Sequence, residues 1–131
     1  NTLIKRDSVV YAGDEKLHLY VQVNPTTYKV FKSSYNDDGV EVDNVYYDNI
    51  VNVNIYRGAS RIFGRDFRKE DFDGQVPHEF LKQAILSDIV LKKVDTDGLH
   101  YRVVLAMPDS SMSYQVEIII SLEGKMTIKK S

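Results

Sequence analysis

Residues 17–24 read Leu-His-Leu-Tyr-Val-Gln-Val-Asn, so apolar and polar side chains alternate at every position. Successive side chains of a β-strand point to opposite faces of the sheet, and a period of two therefore predicts a strand with one buried and one wet face. The same alternation recurs in residues 51–55, 99–107, 114–122 and 126–128. These five stretches predict a mainly β protein.

Only residues 77–86 have helical spacing. Proline suits the first turn of a helix because its missing N–H has no partner there, and Pro77 stands at that position. Phe80, Leu81, Ala84 and Ile85 then form one apolar stripe. We therefore expect one short α-helix, at about residues 77–87, between two antiparallel meanders. The predicted architecture is a β-sandwich or a partly closed β-barrel, and residues 1–131 are expected to form a single domain.

Three local features lead to more specific expectations. Pro25 is expected to end the second strand, with Thr26–Lys32 pairing back onto it. The segment Asp37–Asp48 contains five acidic residues and no basic one, which is typical of a solvated hairpin tip. Ile119 falls on the outward face of its strand, so we expect the helix to cover that face.

Composition excludes several classes of function. The chain has 131 residues, a formal net charge of -2 and no cysteine, which rules out disulfides, thiolate-bound zinc, iron–sulfur clusters and a thiol nucleophile. A charge balance this close to neutral gives no reason to expect nucleic-acid binding. No apolar run approaches the ~18 residues that a membrane-spanning helix requires.

The sequence contains no recognisable catalytic or metal-binding motif. There is no nucleophile elbow and no glycine-rich phosphate loop. The three histidines, His18, His78 and His100, fall in separate elements, and we expect them to face solvent rather than to share a metal. Asp95-Thr-Asp-Gly98 resembles the start of a calcium loop but is better explained as a tight turn. No catalytic residue, metal or cofactor is therefore predicted.

Tyrosine is the residue type that best indicates a binding surface. The chain has nine tyrosines and no tryptophan, and tyrosine combines a flat apolar ring with a polar tip. Tyr20 and Tyr56 fall on the outward faces of predicted strands, and Tyr46 lies in the acidic segment. These three are the candidate residues for binding a carbohydrate or a peptide. The alternative is that tyrosine is simply favoured in strands.

Several segments together resemble a family of small lipoproteins from Bacteroidetes that contain a domain of unknown function. They are Arg61-Ile-Phe-Gly-Arg-Asp-Phe-Arg-Lys-Glu-Asp-Phe72, Glu79-Phe-Leu-Lys-Gln-Ala-Ile-Leu86, Pro108-Asp-Ser110 and Ile120-Ser-Leu-Glu-Gly-Lys-Met-Thr-Ile128. The resemblance implies a cell-envelope protein held by an N-terminal lipid anchor that precedes Asn1. The chain begins with Asn rather than Met, which is consistent with a processed form. The family has no known catalytic residues to transfer.

Three functional hypotheses follow. The first is a non-enzymatic envelope module that binds a protein or small-molecule partner. The second is a lipocalin-like barrel that encloses an apolar ligand. The third is a hydrolase that uses carboxylates. They differ in whether the outward strand residues meet in a concave pocket, whether the interior is hollow, and whether acidic residues cluster.

Overall fold

The computed structural model describes residues 2–130, which form two four-stranded antiparallel sheets. The first sheet contains β1 (Ile4–Ala12), β2 (Glu15–Tyr35), β3 (Glu41–Arg57) and β4 (Ser60–Phe67). The second contains β5 (Ile85–Asp95), β6 (Gly98–Ala106), β7 (Ser113–Ile120) and β8 (Met126–Lys130). In both sheets the order in space is the order in the chain. This confirms the mainly β prediction and the two meanders. The sheets form a sandwich-like arrangement, and the described residues contain no closed barrel.

The predicted alternation places the inward residues in one core shared by both sheets. The inward side chains of β2, β3, β6 and β7 are at most 8% exposed: Leu17, Leu19, Val21, Val23, Val51, Val53, Ile55, Leu99, Tyr101, Val103, Leu105, Val116, Ile118 and Ile120. Phe67 and Phe72 close one part of this core with stacked rings 5.9 Å apart. Packed apolar side chains thus occupy the space that a lipocalin-like ligand would need.

The connection between the sheets contains a single-turn 3₁₀ helix, Lys69–Phe72, and a short α-helix, α1 (His78–Gln83). The helix lies where it was predicted, but it is shorter, because Ile85 and Leu86 already belong to β5. Pro77 is its N-cap residue. The buried Lys69 ammonium donates hydrogen bonds to the carbonyl oxygens of Leu81 and Ala84, at 2.8 and 2.9 Å. These bonds cap the C-terminal end of α1, where the Leu81 carbonyl also accepts a hydrogen bond from the Ala84 N–H.

The expectation that the helix covers Ile119 was wrong. Within the sandwich α1 packs against β2, and its Phe80 ring meets the Tyr114 ring at 4.6 Å, at the inward side of β7. Ile119 is nevertheless 8% exposed on the outward side, where its strand neighbours are His100 and Thr127. None of the helices in the described part of the chain has the length and apolar composition needed to cross a bilayer.

Pro25 does not end the second strand. β2 continues to Tyr35, and instead of folding back onto β2, residues 29–35 pair with residues 41–47 of β3. The pairing register shifts between Pro25 and Lys29, as it does at a β-bulge. Pairing of β1 stops at Val23 and pairing of β4 stops at Val51, so the hairpin beyond this point is a two-stranded ribbon. We call residues 26–48 the arm and the remainder of the β2–β3 hairpin the body.

Candidate functional site

An open depression of about 610 Å³ lies on the outward face of the first sheet. Its volume is in the range of small-molecule sites, about 300–1,000 Å³. Six residues of β2, β3 and the β3–β4 turn line it: His18, Tyr20, Asn54, Tyr56, Gly58 and Ala59. Two of the three candidate tyrosines therefore belong to one concave surface.

Strand register explains why these side chains meet. His18 pairs with Tyr56, and Tyr20 pairs with Asn54, so all four project from the same side of neighbouring strands. The rings of Tyr20 and Tyr56 contact each other edge to face, with centroids 5.8 Å apart and planes at 85°. Two perpendicular aromatic surfaces are thus presented to solvent beside an imidazole.

A chain of hydrogen-bonded amides extends the site across the sheet. The side-chain amide of Asn54 donates to the Oδ1 of Asn52, whose own amide donates to the Oδ1 of Asp66 at 2.8 Å. On the neighbouring strand, Gln22 Nε2 donates to Asn24 Oδ1 at 2.7 Å. The amide groups of Asn52 and Asn54 are thereby held in one orientation beside the aromatic rings.

Gly64 leaves room for the side chains at the edge of this site. A Cβ built on Gly64 would lie 2.6 Å from Asn54 Oδ1 and 3.0 Å from Arg61 Cδ. Gly64 is opposite Asn54 in the register of β3 and β4. The absence of a side chain at position 64 therefore allows the Arg61 side chain to lie across β4 next to Asn54.

The structure places the third candidate, Tyr46, elsewhere. Tyr46 lies in the arm, and its hydroxyl donates a hydrogen bond to the Asp109 carboxylate in the β6–β7 turn. This bond, followed by burial, raises the pKa of Tyr46. Lys32 makes a second contact to the same turn, from its Nζ to the Pro108 carbonyl at 2.6 Å. Tyr46 thus fixes the arm to the second sheet and does not join Tyr20 and Tyr56.

Comparison with protein families gives one match. The family model described as Domain of unknown function (DUF4738) matches residues 1–128. The chain belongs to the DUF4738 family. A search of curated proteins found no match.

In this DUF4738 domain, the prediction that Asp48 belongs to a solvated tip was wrong. Asp48 is 6% exposed, and its Oδ1 accepts hydrogen bonds from the backbone N–H groups of Asn49 and Leu86, both at 2.8 Å. Asn49 Nδ2 donates to the Leu86 carbonyl at 2.9 Å. Burial raises the pKa of Asp48, and the two backbone hydrogen bonds partly oppose that shift. Asp48 and Asn49 thus form a clamp between the first sheet and β5.

One feature of the sequence points to this clamp, although the period-two pattern alone does not distinguish a buried polar residue from a solvated one. Asn49 is in step with the inward residues Val51, Val53 and Ile55. A polar residue at an inward position has to find hydrogen bonds on burial. Its partner is a backbone group 37 residues away, which the sequence pattern cannot identify.

The prediction that His100 faces solvent was also wrong. In the DUF4738 domain His100 is 4% exposed, with Nε2 2.8 Å from Asp95 Oδ1 and Nδ1 3.1 Å from Glu117 Oε2. Burial lowers the pKa of His100, but the hydrogen bonds that its ring donates to the carboxylates of Asp95 and Glu117 outweigh it, and the pKa is raised. The hydrogen bond from His100 lowers the pKa of Asp95.

Asp95, Asp97 and His100 are also close enough to bind a cation, because their ligand atoms lie within 4.8 Å of one another. However, both ring nitrogens of His100 already contact carboxylates. An ion-paired imidazolium explains this geometry without a metal. The three histidines remain in separate elements, as predicted, in β2, α1 and β6.

Proposed function

We propose that this domain is a non-enzymatic binding module of the cell envelope that binds a small carbohydrate in the Tyr20–Tyr56 depression. The observation that supports this most directly is the perpendicular pair of aromatic rings, exposed at Tyr20 and half-buried at Tyr56, beside an ordered row of amides. Neither feature alone distinguishes a binding site from an ordinary sheet surface. Their combination in one open depression favours a ligand that is both flat and rich in hydroxyl groups.

A sugar ring has this combination of surfaces. Its axial C–H groups form an apolar face that packs on an aromatic ring, and its hydroxyls both donate and accept hydrogen bonds. The tyrosine rings provide about 150–250 Å² each of amphipathic surface before partial burial in the sheet. The phenol groups, the imidazole of His18 and the amide of Asn54 provide the polar partners.

The lining of the depression favours binding over hydrolysis. Glycoside hydrolysis normally uses two carboxyl groups on either side of the scissile bond. None of the six lining residues is Asp or Glu. The buried carboxylate of Asp48 is engaged by two backbone N–H groups between the sheets, away from this surface.

Attachment to the envelope is proposed from the resemblance to small lipoproteins. In this proposal a lipid anchor that precedes Asn1 holds the domain at the membrane. The natural full-length protein, expressed with its own leader, should incorporate radiolabelled palmitate and fractionate with membranes. Absence of label together with recovery in the cytoplasm would reject this part of the proposal.

Calorimetry combined with a glycan array tests the binding proposal. The array identifies the glycan class, and calorimetry with the best oligosaccharide gives the affinity. We expect Tyr20→Ala and Tyr56→Ala each to weaken binding by about tenfold or more, since stacked aromatic contacts dominate such sites. Tyr11→Ala is the matched control, because Tyr11 is 63% exposed on β1 of the same sheet and does not line the depression. An equal loss in all three variants would contradict the proposed site.

A glycine pair gives a second test that removes none of the lining side chains. A Cβ on Gly64 displaces Arg61 and Asn54, whereas a Cβ on Gly74 meets nothing within 4 Å. Gly64→Ala should therefore weaken glycan binding, and Gly74→Ala should not. Unchanged binding in Gly64→Ala would show that the Asn54 amide is not part of the site.

A further inference from the structure

The arm exposes an apolar face that the glycan site does not use. We define the outer arm face as the side chains that share one side of the ribbon: Lys29, Phe31, Ser33, Tyr35, Glu41, Asp43, Val45 and Tyr47. All eight are exposed, whereas the paired residues on the opposite side of the arm (30, 32, 34, 42, 44 and 46) are buried or half-buried. Phe31 is 56% exposed, Tyr35 72%, Val45 44% and Tyr47 42%.

Charge is distributed unevenly along this face. Its basic residue, Lys29, lies at the base of the arm, near the bulge. Its acidic residues, Asp43 and Glu41, lie toward the tip, next to the turn that contains Asp37 and Asp38. The apolar pair Phe31 and Val45 lies between the two ends. Ser33, the register partner of Asp43, lies four positions along the strand from Lys29, which corresponds to roughly 13 Å.

We propose that the outer arm face binds the same face of a second copy of this chain, with the two arms antiparallel. A two-fold axis through the Phe31–Val45 pair stacks these side chains on their symmetry mates. It also brings the base of each arm over the tip of the other. Lys29 of each copy then reaches Asp43 of its partner, so this contact forms twice in the dimer. A parallel arrangement would instead place the two acidic tips together, and like charges disfavour it.

The exposed area predicts the strength of this dimer. With aromatic side chains contributing about 150–250 Å² each, the four apolar residues expose on the order of 400 Å² per copy. Two copies then bury on the order of 800 Å² between them, which is below the ~1,200 Å² of standard stable interfaces. The dimer is therefore reversible and forms at micromolar or higher concentration.

The test is sedimentation velocity on residues 1–131 from about 5 to 500 µM. The wild type should shift reversibly from monomer to dimer and no further. Phe31→Ser should remain monomeric at concentrations about tenfold higher, while Val9→Ser, which removes a comparably exposed residue from β1, should behave as wild type. Circular dichroism checks that each variant is folded.

Charge reversal tests the antiparallel register. Lys29→Glu and Asp43→Lys should each weaken the dimer by about five- to tenfold, and the double variant should restore it. A double variant that is no tighter than the singles would overturn this register. Assemblies that grow beyond two copies would indicate edge pairing of the ribbon instead. A monomer at all concentrations that floats with phosphatidylcholine vesicles through Phe31 would assign the face to a membrane and overturn the dimer.

Discussion

The body and the arm of the β2–β3 hairpin are built from the same two strands, yet they bury opposite sides of β3. In the body the odd-numbered residues Val51, Val53 and Ile55 are buried. In the arm the odd-numbered residues Val45 and Tyr47 are exposed, and the alternation of the sequence is interrupted where the polar residues Asp48 and Asn49 are adjacent. The change occurs at Asp48 and Asn49, which are both buried opposite the bulge. Alternation thus identifies a strand, whereas its surroundings decide which face is buried.

The largest expected effect on the free energy of unfolding comes from comparing the truncation of one residue in the body with that of one residue in the arm. Ile55→Ala should lower the free energy of unfolding by about 2–5 kcal/mol, because Ile55 is 0% exposed and truncation leaves a cavity. Val45→Ala should lower it by less than about 0.5 kcal/mol, since Val45 is an exposed surface position. Urea titrations at low protein concentration measure both. Similar costs would show that the arm has a core of its own.

The junction between body and arm gives the next largest effect. Asp48→Ala should cost about 1–3 kcal/mol, because two buried N–H groups lose their acceptor. Asp48→Asn keeps an acceptor oxygen and should therefore lower the free energy of unfolding much less. The folded pKa of Asp48 is raised, so the charged form disfavours folding, and that penalty appears as pH rises through the folded pKa. Equal losses in the two variants would contradict the role given to the hydrogen bonds at this position.

The aromatic pair on the outward face of the body should matter less for stability. Tyr20→Ala and Tyr56→Ala, analysed with the double variant, should show a coupling energy of about 0.5–1.5 kcal/mol. Each single variant should remain folded at room temperature. A loss of several kcal/mol from either one would place its ring in the core and remove it from the binding site.

The smallest expected effect concerns His100 on the second sheet, outside the hairpin. It is a change in how the free energy of unfolding depends on pH. Because the folded pKa of His100 is raised, its contribution to stability is complete below about pH 6.5 and is lost as pH rises through the folded pKa. Asp95 has a lowered folded pKa, so its contribution is lost at the acid end instead. His100→Gln should flatten the stability curve above about pH 6.5, and Glu117→Gln should flatten it partly. An unchanged curve in His100→Gln would contradict the ion pairing.

The sequence predicted the strands and turns that local patterns specify. The turn at Gly98 was expected and occurs, and the helix was predicted in place but about one turn too long. It ends early because Ile85 and Leu86 already pair with β6 as part of β5, a contact between distant residues.

The binding surface was predictable only in part, for a similar reason. Outward placement of Tyr20 and Tyr56 follows from alternation, but their contact depends on the pairing register of β2 and β3. The buried roles of Asp48 and His100 also depend on Leu86 and Glu117, which lie 38 and 17 residues away from them in the chain. Periodicity identifies a face, and it contains no information on which strand lies beside it.

The most direct test of the account is an NMR titration of the isotopically labelled domain with the glycan that the array selects. The account predicts chemical-shift changes confined to the backbone amides of His18, Tyr20, Asn54, Tyr56 and Gly58, with those of Phe31 and Val45 in the arm unaffected. Shifts centred on the arm, or no saturable shifts with any glycan, would contradict it.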